Sequence, residues 1–441
     1  MLTIQTQLRC LAVVTFIGTA VLVFTSLVTP ANAVQESPSA ETIPADVHIA
    51  TMSAVPESIE LTNAFDYRQL LLVGHLEDGQ TVDLTRIATL TNPDQLLDVV
   101  DVSPQRTVTP KQDGQVVLRF AFEELSVDVP VTVSNASVVP EPGFVLDVQP
   151  VVSRLGCNQG TCHGSKDGKN GFKLSLRGYD GLYDYRAFTD DVEGRRFNRA
   201  APDQSLMLLK ASGAIPHVGG GLTQPGERYY EIIRRWIANG VKFDGETAPR
   251  VSHIEIAPNN PFLPRAGLRQ QITVQAHYND GTIRDVTHEA FIESGNIEVV
   301  AAEAGGIVKL LRRGEAPILV RFEGAYAATT LTVMGDRSGF AWSDPPKFNY
   351  VDQHVYDKLQ SVKVLPSELC TDAEFIRRVS LDLTGLPPTA DAVRDFLADN
   401  RDTQVKRQDL VDRLLNSADY VEHWTNKWAD LLQVNRKFLG A

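Results

Sequence analysis

One stretch of this sequence occurs twice. LLLVGHLEDGQTVDLT at 70–85 and ITVQAHYNDGTIRDVT at 272–287 share a layout: an apolar run, an Asp-Gly pair, then Asp-x-Thr at the same offset. Asp78-Gly79 and Asp280-Gly281 sit where a hairpin needs its turn, and Asp83-x-Thr85 and Asp285-x-Thr287 follow. Both copies close on a β-rich run, VDVPVTVS in the first and AATTLTVMG in the second. In the first copy Val116, Leu118, Phe120 and Phe122 recur at period two, so they share one face of a strand. A repeat of this kind predicts two copies of one β-sandwich, over 50–136 and 251–335, flanking something different.

What they flank contains the chemistry. Cys157, Cys162 and His163 form C-x4-C-H inside VVSRLGCNQGTCHGSKDGKNGFKLSLRGYD. Three chemistries suit two thiols and an imidazole at this spacing. A covalent haem takes both thiols as thioethers and the adjacent His as an axial ligand, although its usual spacer has two residues rather than the four here, Asn158 to Thr161. Gly160 is the residue expected to fold the longer loop back. A Cys157–Cys162 disulfide in an oxidising compartment is the second reading. A Cys, Cys, His metal site is the third, and it lacks a fourth ligand nearby.

Downstream, Pro225 is placed to open a helix on which Tyr229, Ile232, Ile233, Trp236 and Ile237 form one stripe, and Gly240 to end it. His217, in the loop IPHVGGG before that helix, is the candidate second axial ligand, with Met207 in SLMLLK as its competitor and core packing as Met207's other role. Arg195, Arg196 and Arg199 are candidates to pair with haem propionates, against a solvated surface face as the plain alternative.

Charge separates this stretch from the rest. Val151 to Asp244 carries 14 Lys+Arg and 10 Asp+Glu, in a chain whose net charge is −13. The acidic total argues against non-specific nucleic-acid binding. A basic module in an acidic chain suits either an acidic docking partner or haem propionates.

Met1 to Ala33 reads as an export signal: Arg9, an apolar run from Leu11 to Val28, then Ala31-Asn32-Ala33. The run is long enough that a retained membrane anchor is the alternative. The chain is therefore expected in the periplasm or at the cell surface, with membrane or surface association. Residues 34–49 read as a linker. Of the cysteines beyond the signal, Cys370 is left unpaired and is expected to be buried.

Residues 347–441 change to a helical period. Val351, Val355 and Leu359 lie four apart, and Asp372 is placed to cap a helix through Phe375, Ile376 and Val379. LTGLPPT breaks it, Thr389 caps the next with Val393, Phe396 and Leu397 inward, and Gln408–Leu415 and His423–Val434 give two more. His423, Trp424 and Trp428 are expected to pack, and the domain is expected to be incomplete at Ala441.

Three resemblances attach to these motifs. The two repeats resemble the bacterial immunoglobulin-like domain, group 2, on the apolar run, DG, DxT and the closing strand. Residues 145–248 resemble the planctomycete cytochrome c-like domain in its GCNxGxCHG variant, on GFKLSLRGYD, PDQSLMLLK, PHVGGG and WIANG. RRVSLDLTGLPPT and VDRLLNSADYVEHWTNKWADLL resemble the helical domain of unknown function that follows that module. The implied fold class is a multidomain α and β chain: two Ig-like sandwiches around a small all-α cytochrome c-like module, then an all-α domain. The implied function is an exported electron carrier rather than a catalyst, binding haem c through Cys157, Cys162, His163 and His217 and exchanging electrons with an unidentified redox partner protein. A cell-surface adhesion or scaffold protein, with the central module stapled by a disulfide, is the alternative.

Overall fold

The computed structural model describes residues 41–434 except 94–97, 191–192, 246 and 338. The export signal and the first part of the linker lie outside the described residues. Residues 41–49 are not a free linker. Ile43, Val47 and Ile49 pack on the apolar cluster that the two sandwiches share, and Glu41 pairs with Arg86 at 2.8 Å. The apolar residues among these polar ones are what bind the segment down.

Both repeats fold the same way. In the first, Thr51–Val55, Leu71–His75 and Thr81–Asp83 form one sheet. Ile59–Leu61, Leu125–Val133, Gly114–Phe122 and Thr89–Leu90 form a second, in that order, with Ile59–Leu61 parallel to its neighbour. In the second repeat Val251–Ala257, Thr273–Tyr278 and Ile283–Asp285 correspond to the first of these sheets. The long hairpin Gly114–Phe122 with Leu125–Val133 corresponds to Gly314–Phe322 with Ala325–Val333. Leu118 and Phe120 are fully buried, as the period-two alternation requires.

The Asp-x-Thr signature has a structural purpose in each copy. Asp83 Oδ1 accepts from Thr85 N and Thr85 Oγ1 accepts from Leu72 N; Asp285 and Thr287 do the same, the latter with Val274 N. The second carboxylate oxygen reaches across to the other copy. Asp83 Oδ2 accepts from Gln271 N at 2.6 Å, and Asp285 Oδ2 accepts from Gln69 N at 2.7 Å. The two sandwiches are thus joined by a reciprocal exchange, and one apolar cluster takes in residues of both.

The central module is all helical. Gln149–Arg154, extended at its start by the turn Phe144–Val148, packs on Arg228–Ala238. Trp236 is fully buried, 5.3 Å from the ring of Phe144 and 5.4 Å from that of Phe197, and its indole N–H donates to Lys242 O at 2.9 Å. The last helix begins at Arg228, three residues after Pro225, because Gly226 at φ +87° is outside the helical region.

Among the described residues five helices follow: Tyr350–Ser361, Asp372–Thr384, Ala390–Ala398, Thr403–Leu415 and Ala418–Leu431. Thr371, not Asp372, caps the second, in a capping box with Glu374. Asp372 instead pairs with Lys406 and Arg407 at 2.6 and 2.7 Å. The core here is small: Ile376, Phe396 and Leu410. Several apolar residues expected inward face solvent, among them Val351, Val355, Leu397 and Trp428 at 55% exposure. Their helical period is real, but among the described residues nothing covers that face. Cys370 is half-buried rather than buried. Among the described residues no helix is long and apolar enough to cross a membrane.

Candidate functional site

The first helix of the module delivers the cysteine loop. It ends at Arg154, Leu155 caps it and Gly156 at φ +78° turns the chain, so the left-handed residue is this glycine and not Gly160. The loop then closes on itself: Cys157 N donates to Val152 O at 3.1 Å, His163 N to Cys157 O at 3.0 Å, and Gly164 N to Gln159 O at 3.0 Å. Gly164 is obligatory for packing, since a Cβ there would lie 2.0 Å from Asn158 O. Asn158 is buried and donates to Ser153 Oγ at 2.7 Å, while its carbonyl accepts from Arg177 N. The four-residue spacer is therefore a tight turn, tied through the Asn158 and Gln159 carbonyls.

Cys157 and Cys162 are both free thiols, so no disulfide staples the module. Burial, and then the neighbouring Cys162, push the Cys157 thiol up to about 12. That burial keeps the Cys157 thiol protonated at neutral pH.

His163 is fixed by its Nδ1, which lies 3.0 Å from the carbonyl oxygen of Phe172, with the two rings 4.7 Å apart. That carbonyl sits in a small turn where Lys169 and Phe172 exchange both backbone hydrogen bonds at 2.9 Å. The Leu174 N–H donates to His163 O at 2.8 Å and completes the cradle. Burial lowers the imidazole pKa, against the pull of the Phe172 carbonyl, and the nearby charges of His217, Lys169 and Arg196 lower it further. Burial thus favours the neutral imidazole, which is held through Nδ1.

His217 comes from the loop between Leu206–Ala211 and Arg228–Ala238, yet lies close enough for its charge to act on His163. The loop folds tightly around it, with Gly220 N donating to His217 O at 3.0 Å. Met207 is half-buried against the module's core, which is the packing role. Of the three arginines, Arg196 stacks over Phe172 at 4.6 Å and so joins the site, while Arg195 is exposed. The Phe172 carbonyl and Gly164 escaped the sequence reading. A backbone acceptor leaves no residue-type signal, although the CHG run does carry the glycine.

The family model described as PSCyt2, protein of unknown function (DUF1549), matches residues 350–438. No curated protein matches the chain. Similar solved structures are surface-layer protein fragments. Domains 4 and 5 of the S-layer protein SbsC are 14% identical over 20% of this chain and 53% of that one, at a TM-score of 0.17. SbsC domains 1–6 are 10% identical over 67% of this chain and 29% of that one, at 0.18. SbsC domains 5–6 are 11% identical over 65% of this chain and 98% of that one, at 0.25. The chain thus spans about half of the first of these and under a third of the second.

Proposed function

We propose that this chain is an exported scaffold protein of the periplasm or cell surface whose interlocked sandwiches hold a haem-binding electron-transfer module. The observation that carries the haem reading is the hydrogen bond from His163 to the Phe172 carbonyl beside two unbridged thiols. Imidazoles that bind metal are commonly anchored through their other ring nitrogen in this way. The donor set fits a covalently held haem. Cys157 and Cys162 would carry the thioether links, His163 Nε2 would be one axial ligand, and His217, whose charge acts on His163, would be the other. A haem held by two histidines supplies one-electron exchange, generally at lower potential than a His/Met pair. Arg196, near His163, is suited to a propionate. A thiolate metal site is less well matched, because among the described residues the ligand atoms of Cys157, Cys162 and His163 do not gather as a metal-holding group.

The scaffold reading without a cofactor rests on the hydrogen bonds from Gln271 N to Asp83 and from Gln69 N to Asp285, which need nothing bound in the module. A pyridine haemochrome spectrum with intact mass, on the full chain matured in a cytochrome-c-competent periplasm, separates the two. A c-type α-band and a haem-sized mass increase support the haem reading. An unmodified mass with two titratable thiols at 157 and 162 leaves the scaffold alone.

A further inference from the structure

A second cluster of ligating side chains lies on the outer face of the second sandwich, away from the cysteine loop. Strand Val251–Ala257 pairs antiparallel with Thr273–Tyr278, with His253 opposite His277 and a register shift between Val251 and His253. His253 and Glu255 are two residues apart and share the outer face, while Ile254 between them points into the core at 6% exposure. The His253 and His277 rings stack with centroids 4.3 Å apart. Glu255 reaches both: Oε2 is 3.3 Å from His277 Nε2 and Oε1 is 3.8 Å from His253 Nε2.

Two details set this cluster apart from a surface ion pair. His277 Nε2 is closed off from solvent and makes no hydrogen bond, its carboxylate neighbour being close but out of line. A buried ring nitrogen without a well-aligned hydrogen bond is uncommon, and a metal ion at this place would satisfy it. Ser252 Oγ meanwhile lies 3.1 Å from His253 Nδ1 and donates to His277 O at 2.9 Å, which orients the His253 ring and leaves its Nε2 toward the cluster.

The first sandwich supplies an internal control. There Thr51 pairs with His75 at the equivalent register, and Ser53 Oγ lies 2.7 Å from His75 Nε2. A hydroxyl satisfies that ring nitrogen. In the second copy the same three places hold His253, Glu255 and His277, so the hydroxyl has been exchanged for a carboxylate and a second imidazole has been added.

We propose that His253, Glu255 and His277 bind one divalent transition-metal ion of the zinc class, with a remaining position open to solvent. One ligand atom from each residue lies within 4.8 Å of the others. Tetrahedral zinc, with ligands about 2 Å from the ion, sets its donors about 3.3 Å apart, so small side-chain rotations complete the site. Two imidazoles and a carboxylate select zinc-like ions over calcium or magnesium, which prefer all-oxygen shells. With three protein ligands on an exposed face, the fourth position would be filled by water or by a donor from another molecule.

Cobalt(II) titration of the full chain tests this, because ligation by Cys157 or Cys162 would add an intense thiolate charge-transfer band whereas the histidine–glutamate site would not. The expected result is one equivalent of cobalt with visible d–d bands and no thiolate band, displaced by zinc. His277→Ala and Glu255→Gln should each weaken it at least about tenfold without altering the far-ultraviolet circular dichroism. Thr51→His with Ser53→Glu should add a second equivalent. Absence of a thiolate-free cobalt spectrum, or one that survives both substitutions, would overturn the proposal.

Discussion

Arg228 and Glu289 form an ion pair across the boundary between the central module and the second sandwich, with Glu289 buried. Tyr67 of the first sandwich donates its hydroxyl to the same carboxylate at 2.6 Å, and Arg228 also donates to Phe65 O at 3.0 Å. Three parts of the chain therefore meet on one carboxylate. Arg284 with Asp147 at 2.9 Å and Arg154 with Ala290 O at 3.3 Å reinforce the same boundary.

Removing one partner should strand the other. Arg228→Ala is expected to destabilise the chain by about 3 kcal/mol, since it leaves a buried carboxylate uncompensated. Glu289→Gln should lose less, because the amide oxygen can still accept from Tyr67. Burial works against the Glu289 charge, but Arg228 and the Tyr67 hydroxyl hold its pKa below the ordinary carboxylate range. Its stabilisation is therefore present above the unfolded pKa and is lost as pH falls through the folded one. Urea unfolding of wild type and Glu289→Gln between neutral and acid pH should show that acid-side loss in the wild type alone.

Asp285 should titrate with the opposite sign. Burial raises its pKa to about 6 in spite of the two N–H groups it holds. Its contribution is complete below the unfolded aspartate pKa of about 4 and declines as pH rises through the folded value of about 6. Asp285→Asn should remove that decline. Asp285→Ala and Asp83→Ala should each destabilise by about 1–3 kcal/mol, because a buried backbone N–H in the other sandwich loses its acceptor. Equilibrium unfolding of the four proteins measures all of this.

The cysteine loop makes its own prediction. Gly164→Ala keeps every candidate ligand but puts a Cβ into Asn158 O, so haem attachment should fall to near zero in the haemochrome assay. Loss of attachment with Cys157, Cys162 and His163 intact would show that the turn, and not only the ligands, presents the site.

His217 and Met207 can be separated by spectroscopy. On the proposed haem ligation, His217→Ala should leave the covalent link intact and shift the visible spectrum from low-spin to high-spin. Met207→Ala should leave the spectrum unchanged and lower stability by about 1 kcal/mol, the loss typical of a half-buried packing residue.

The sequence shows the repeat plainly, because hairpin turns and alternating strands are local patterns. It also shows that Asp83 and Asp285 recur. What it hides is their second oxygen, whose partner is a backbone N–H on a strand of the other copy and has no residue type. The same holds for the Phe172 carbonyl behind His163. Cys157, Cys162 and His163 are legible because they lie close together in the sequence, whereas the turn belongs to Gly156 and not to Gly160, and composition does not say which of two nearby glycines takes positive φ. Trp428 marks another limit: a helical period reveals an apolar face but not whether anything lies against it.

The exchange between the two copies also has a mechanical meaning. Each sandwich borrows an acceptor from its counterpart, and the module sits in the chain between them. A pull on the two ends cannot peel one sandwich away without breaking the other's bonds as well. In a force-extension experiment the pair should yield as one event rather than two, and load carried through the sandwiches would bypass the cysteine loop.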